Sequence, residues 1–153
     1  LADEAIPAGN GIAALALQRL GFLLGESRYL SATEKTLQYA WQAMLEYPHG
    51  HVSLITALEE YLAHPEIIVI RGEGDDIGRW RDSAAKLYAP RRLVFAIDRE
   101  TSRLPGALAN RRPVPGQTVA YRCVGSHCSL PLSSFEALTA ALREEVREVE
   151  SSQ

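Results

Sequence analysis

Apolar and polar positions along the chain follow two periods, and one gives way to the other at Glu66. Before it, apolar residues recur at helical spacing. Ile12, Leu15, Ala16, Leu20, Leu23 and Leu24, widened by Leu17, predict a helix from about residue 11 to 24, with Asn10 as its N-cap and Gly25 as its stop. Leu30, Thr33, Leu37, Ala40, Trp41, Met44 and Leu45 predict a second, from about 28 to 47, with Pro48 just beyond it. Val52, Ile55, Leu58, Tyr61 and Leu62 predict a third, from about 51 to 63, with Glu59 and Glu60 on its wetter side. The short turns between these helices imply antiparallel packing.

At Glu66-Ile67-Ile68-Val69-Ile70-Arg71-Gly72 a continuous β-branched run replaces the helical period. Such a run, set between Pro65 and Gly72, reads as a strand buried on both faces, as in a parallel sheet. Ile77, Trp80, Ala84 and Leu87 then predict a helix opened by Asp75 or Asp76 and stopped before Pro90. Leu93-Val94-Phe95-Ala96-Ile97 is a second strand, and Thr118 to Val124 a third. Between them lies a long irregular connection carrying Pro105, Gly106, Pro113, Pro115 and Gly116, with one short helical turn near residues 104 to 109. Ser133 or Ser134 caps a last amphipathic helix, with Phe135, Leu138, Ala141, Leu142 and Val146 facing inward. The expected class mixes α+β with α/β. Antiparallel helices over residues 1–63 precede a small three-stranded parallel α/β module over residues 65–149. The expected strand order is 2-1-3, with the most apolar strand in the centre.

Composition narrows the functional classes. A net charge of -3 over 153 residues gives no basic surface for nucleic acid or an anionic membrane. No apolar run approaches the ~18 residues that span a bilayer. The chain starts at Leu1 without Met or a basic leader, which reads as a piece of something longer rather than as a signal peptide. Two cysteines do not make a disulfide framework, so a reducing cytoplasm is the default compartment.

Three groups of residues could carry chemistry. Gly72, Gly74 and Gly78, between a strand and a helix and followed by Asp98, imitate a dinucleotide fingerprint. Glu73, Asp75 and Asp76 would set three carboxylates where a phosphate must sit, each repulsion costing about 4 kcal/mol at ~4 Å in a protein-like dielectric. An acidic helix start explains them better. Cys123 and Cys128 flank a tight turn and are candidates for a redox pair, although the spacing is not C-x-x-C. With His127 they offer three metal ligands at best, and no metal site is expected. The reading favoured over a redox pair is a buried Cys123 at a strand end and a partly exposed Cys128 in a loop. His49 and His51 could ligate a metal or simply form a turn, and the turn is favoured. No cofactor is implied.

The segment Asp3-Glu4-Ala5-Ile6-Pro7-Ala8-Gly9-Asn10-Gly11, with the helix through Arg19-Leu20, resembles a motif of the YyaL-like family. These are thioredoxin-domain-containing proteins related to spermatogenesis-associated protein 20. Glu66 to Gly72, Ala120-Tyr121-Arg122-Cys123, Cys128 and Pro131 continue the likeness in order. Ala8 stands where the family often has Ser. The resemblance implies an upstream thioredoxin-like domain, then an (α/α)6 barrel similar to sugar epimerases and six-hairpin glycosidases, then a small α/β tail. Residues 1–63 would be the last helices of the barrel. The chain is then expected to support a larger protein whose upstream parts are its partners. Apolar residues such as Leu15, Leu37, Trp41 and Ile55 would be buried on the tail or by a second copy. The alternative is a sugar epimerase or glycosidase, with Asp3 or Glu4 as acid/base at the barrel mouth. Such chemistry needs a second carboxylate roughly 5–9.5 Å away, which would come from upstream.

Overall fold

The computed structural model describes residues 1–151, with side chains through residue 143. The chain divides into two compact units, Leu1–Pro65 and a second beginning at Glu66. Five α-helices and a four-stranded mixed sheet are present among the described residues, an α+β arrangement.

The first unit holds helices α1 (Gly9–Leu24), α2 (Ser27–Glu46) and α3 (Val52–Leu62), with a short 3-10 turn at Pro48–Gly50. Ala14, Leu37, Ala40, Met44, Leu54 and Ala57 form its core. The buried stripe of α1 is not the leucine stripe that the spacing suggests. It is Gly11, Ala14, Gln18 and Gly21, while Ile12 and Leu20 are 49% and 41% exposed. Small residues win because the helices approach too closely for larger ones. A Cβ on Gly11 would come within 2.7 Å of the Ser53 backbone carbon, and one on Gly21 within 2.5 Å of Leu30 Cδ2. Polar ties complete the packing. Thr33 Oγ1 donates to Ala14 O at 3.0 Å. Arg19 grips Glu60 with Nε at 2.9 Å from Oε1 and Nη2 at 2.7 Å from Oε2. Glu60, expected on the wetter side of its helix, is therefore buried, because its partner lies on the neighbouring helix. Asn10 does not cap α1. The helix begins earlier, with Ala8 at the cap position, and Asn10 falls in its first turn. Gly25 does end the helix, at φ 70°.

The second unit contains β1 (Glu66–Gly72), α4 (Gly74–Lys86), β2 (Arg92–Asp98), β3 (Val119–Val124), β4 (His127–Cys128) and α5 (Phe135–Ser151). The strand order is β2-β1-β3-β4, with β1 in the interior and buried along its whole length. The sheet is not fully parallel. β2 runs parallel to β1, but β3 runs antiparallel to it. The register gives the reason. Gly72 lies opposite Asp98 and Arg71 opposite Val119, so β2 ends where β3 begins. The connection between them holds only a 3-10 segment, Gly106–Asn110, and no crossover helix that would return the chain to the other end. A fourth strand, which the spacing of apolar residues does not predict, is added by the two-residue turn Gly125–Ser126, in which Gly125 takes φ 57°.

One face of β1 packs Ile68 and Ile70 with Trp80, Ala84, Ala120, Leu138 and Leu142. Ser134 Oγ accepts from Ala137 N–H at 3.0 Å and so caps α5. Val146 lies outside the described side chains. Glu66 begins this same face. It accepts from Arg92 Nε and, at 2.5 Å, from Arg122 Nε, so one carboxylate joins three strands. Ile67, Val69 and Arg71 occupy the opposite face, beside Tyr121 and Cys123. There Arg71, only 2% exposed, donates to Arg111 O at 2.8 Å, Thr101 O at 2.9 Å and Asp98 O at 3.3 Å. Tyr121 Oη donates to Arg112 O at 2.9 Å. The irregular connection is thus bound to the sheet through its own carbonyls.

Candidate functional site

Each unit brings some of the candidate residues together. In the first, the N-terminal loop and the start of α3 meet around Asp3. Asp3 Oδ1 accepts from Ala8 N–H at 2.6 Å and from Ser53 Oγ at 2.5 Å, and Oδ2 accepts from Ser53 N–H at 2.8 Å. Ser53 lies in the first turn of α3, so Asp3 serves that helix end as a cap supplied from a distant part of the chain. These hydrogen bonds, the Ala8 N–H first, hold the carboxyl down at about 2 against an ordinary 3.8. A carboxylate so stabilised is a poor proton donor near neutrality and a weak base. Its geometry is that of a loop clamp. Ser53, the residue that completes the clamp, carried no signal in the sequence.

Glu4 is exposed beside the clamp. It lines an open cleft with Asp3, Ile6, Ile12, His49 and Val52. His49 is thereby placed near the two acidic candidates, a proximity that residue spacing did not suggest. His51 does not line this cleft. It is buried, and its Nδ1 donates to Tyr47 O at 2.8 Å. Among the described residues, no three or more His, Cys, Asp or Glu side chains gather into a metal cage.

In the second unit, Gly72 and Gly74 precede the bulk of α4, with Asp75 and Asp76 in its first turn. Glu73 pairs with Arg99 at 2.7 Å and Asp76 with Arg79 at 3.1 Å. Gly72 is required for a packing reason: a Cβ there would come within 2.5 Å of Thr118 Oγ1. The glycines therefore serve the turn and the sheet.

Cys123 and Cys128 are directly opposed across β3 and β4, with Cα atoms 4.0 Å apart, and are joined by a disulfide. The burial contrast expected between them holds, but the thiols are not separate. The tight turn sets the two positions in register and so brings the sulfurs together. Cys123 is buried and Cys128 exposed. Arg111 Nη2 lies 2.7 Å from Cys128 Sγ, and its guanidinium sits 5.9 Å from the centre of the Tyr121 ring. Arg111 is fixed through its backbone, since its carbonyl accepts from the buried Arg71 and its N–H donates to Leu108 O at 2.9 Å. Arg111 belongs to no motif legible in the sequence, and Arg71 stands in the Glu66–Gly72 run without being singled out there. Arg71 had one available signal, a cation inside a strand buried on both faces, which must find acceptors.

No helix of the described residues is long and apolar enough to cross a membrane. No protein-family model matches the chain, and neither a curated protein nor a solved structure matches it.

Proposed function

We propose that the chain is a supporting segment of a larger protein of the YyaL-like kind, with its helical unit standing as part of an (α/α) barrel and its α/β unit as the tail. The observation that carries this reading is the inverted α1. Its small and polar stripe is buried, while Ile12 and Leu20 face outward, as do Trp41 and Leu45 on α2 and Val52 on α3. Side chains of this kind, exposed on three helices of one unit, suit a surface that further helices cover. Upstream helices of the same protein are the occupants this reading assigns. The Asp3 clamp supports it too, because the more buried acid of the motif is used to hold the loop.

The cleft that gathers Glu4 and His49 favours a second reading, an epimerase or glycosidase-type site at the barrel mouth. Calorimetric titration with mono- and disaccharides separates the two. The supporting role predicts no saturable heat and no effect of Glu4→Gln. A saturable heat abolished by Glu4→Gln would overturn it in favour of the sugar enzyme.

A further inference from the structure

The cystine at the end of the sheet has the parts of a reactive thiol pair, and they are unequal in a way that assigns their roles. Cys128 is exposed on a two-residue strand that follows a tight turn. Cys123 is 6% exposed in the interior of the sheet. Among the described residues, a cation lies on the sulfur of Cys128 and not on that of Cys123: Arg111 Nη2 at 2.7 Å. That cation is held in place from two directions: Arg71, itself 2% exposed, donates to the Arg111 carbonyl, and the Tyr121 ring lies beside the guanidinium. A buried arginine that positions a second arginine against one sulfur of a disulfide goes beyond what closing a short hairpin loop requires.

We infer that Cys123 and Cys128 form a thiol–disulfide exchange site, in which Cys128 forms the mixed disulfide with an external dithiol–disulfide couple and Cys123 resolves it. In the reduced form the Arg111 guanidinium favours the Cys128 thiolate, as cations beside reactive cysteines do. The thiolate attacks one sulfur of the external disulfide. A bond forms from that sulfur to Cys128, the external disulfide bond breaks, and its electron pair leaves on the second external sulfur, which takes a proton. Cys123 then loses its proton to solvent and attacks Cys128 Sγ. The internal disulfide forms, the mixed disulfide breaks, and the remaining external sulfur departs as a thiolate. Two electrons pass from the chain to the external couple. In the opposite direction a thiolate of an external dithiol attacks the sulfur of the exposed residue Cys128. The internal disulfide breaks and its electron pair leaves on Cys123, which takes a proton. The second external thiol, once deprotonated, attacks the external sulfur of the mixed disulfide; the external disulfide closes and Cys128 departs as a thiolate, a leaving group that Arg111 favours in this second step. Arg71 is a positioning residue in this scheme, since it reaches the sulfur only through Arg111.

The test uses dithiothreitol as the external dithiol. Millimolar dithiothreitol should open the disulfide in the folded protein, followed by mass after alkylation, and oxidised dithiothreitol should restore it. In the reduced Cys123→Ser variant, the pH profile of Cys128 alkylation should have its midpoint at least about one unit below the ~8.5 of an ordinary thiol. Arg111→Gln should return the midpoint to that ordinary value, and Arg111→Lys should keep most of the shift. Raised salt should move the midpoint up without any substitution, a readout that stands even where Arg111→Gln fails to fold. A disulfide that opens only on unfolding, or a midpoint already at the ordinary value and indifferent to Arg111→Gln and to salt, would overturn the assignment.

Discussion

Replacing Glu66 with Leu puts the greatest electrostatic demand on the second unit. Its side chain is 1% exposed and is shared by Arg92, whose side chain is 2% exposed, and Arg122, at 24%. Glu66→Leu keeps an apolar side chain at the head of β1 but removes the anion that both guanidinium groups share. Removing one partner of a buried ion pair costs about 3–5 kcal/mol, a large share of the roughly 5–15 kcal/mol that holds a typical domain together. With a urea slope of about 2 kcal/mol/M, the midpoint should fall by roughly 2 M. The assay is urea unfolding followed by tryptophan fluorescence in a Trp41→Phe background. That background leaves Trp80 as the sole indole, 3% exposed within the core beside the sheet. The triple substitution Glu66→Leu, Arg92→Met, Arg122→Met removes both the charges and their desolvation, and should recover to within about 1 kcal/mol of the parent. A cost below about 1 kcal/mol for Glu66→Leu, or a triple variant as unstable as the single one, would refute the role given to this carboxylate.

Other consequences are simpler to read. Gly11→Ala should destabilise the first unit by about 1–3 kcal/mol, because the new methyl group meets the Ser53 backbone; circular dichroism melting that leaves the variant equal to the parent would contradict the close approach of α1 and α3. Asp3 is held at about 2 in the fold, so its contribution is complete above the ordinary value of 3.8 and disappears as the pH falls through about 2. Asp3→Asn should therefore flatten the stability profile between those limits, and identical acid transitions in parent and variant would rule the clamp out. Gln18 is fully buried, and neither of its amide atoms has a partner among the described residues. Gln18→Met should gain up to about 1 kcal/mol in chemical denaturation, and a clear loss would mean that the amide is satisfied in solution.

What the sequence disclosed followed the physics of each signal. The β-branched run from Ile67 to Ile70 needs burial on both faces, and that need placed β1 in the interior of the sheet. The direction of β3 was illegible, because it depends on which end of the sheet an irregular connection returns to, and proline and glycine positions do not encode that. In the helical unit the longest apolar stripe misled, since hydrophobic spacing says which residues prefer burial and not how closely helices pack. Gly11, Ala14 and Gly21 decided the matter by size. The Cys123 and Cys128 pairing was suggested by the turn between them, but Arg111 reaches the sulfur through a tertiary bond to Arg71 that has no local trace. The same holds for Ser53, which meets Asp3 across fifty positions of sequence.

The supporting role stands or falls on the apolar surface of the helical unit, and sedimentation velocity combined with the binding of an apolar-sensitive dye measures it directly. A supporting segment should bind dye or self-associate as the isolated chain, and Trp41→Gln with Leu45→Gln should abolish both while the helical signal and melting temperature hold. A monomer that binds no dye, or a double variant that unfolds, would contradict it.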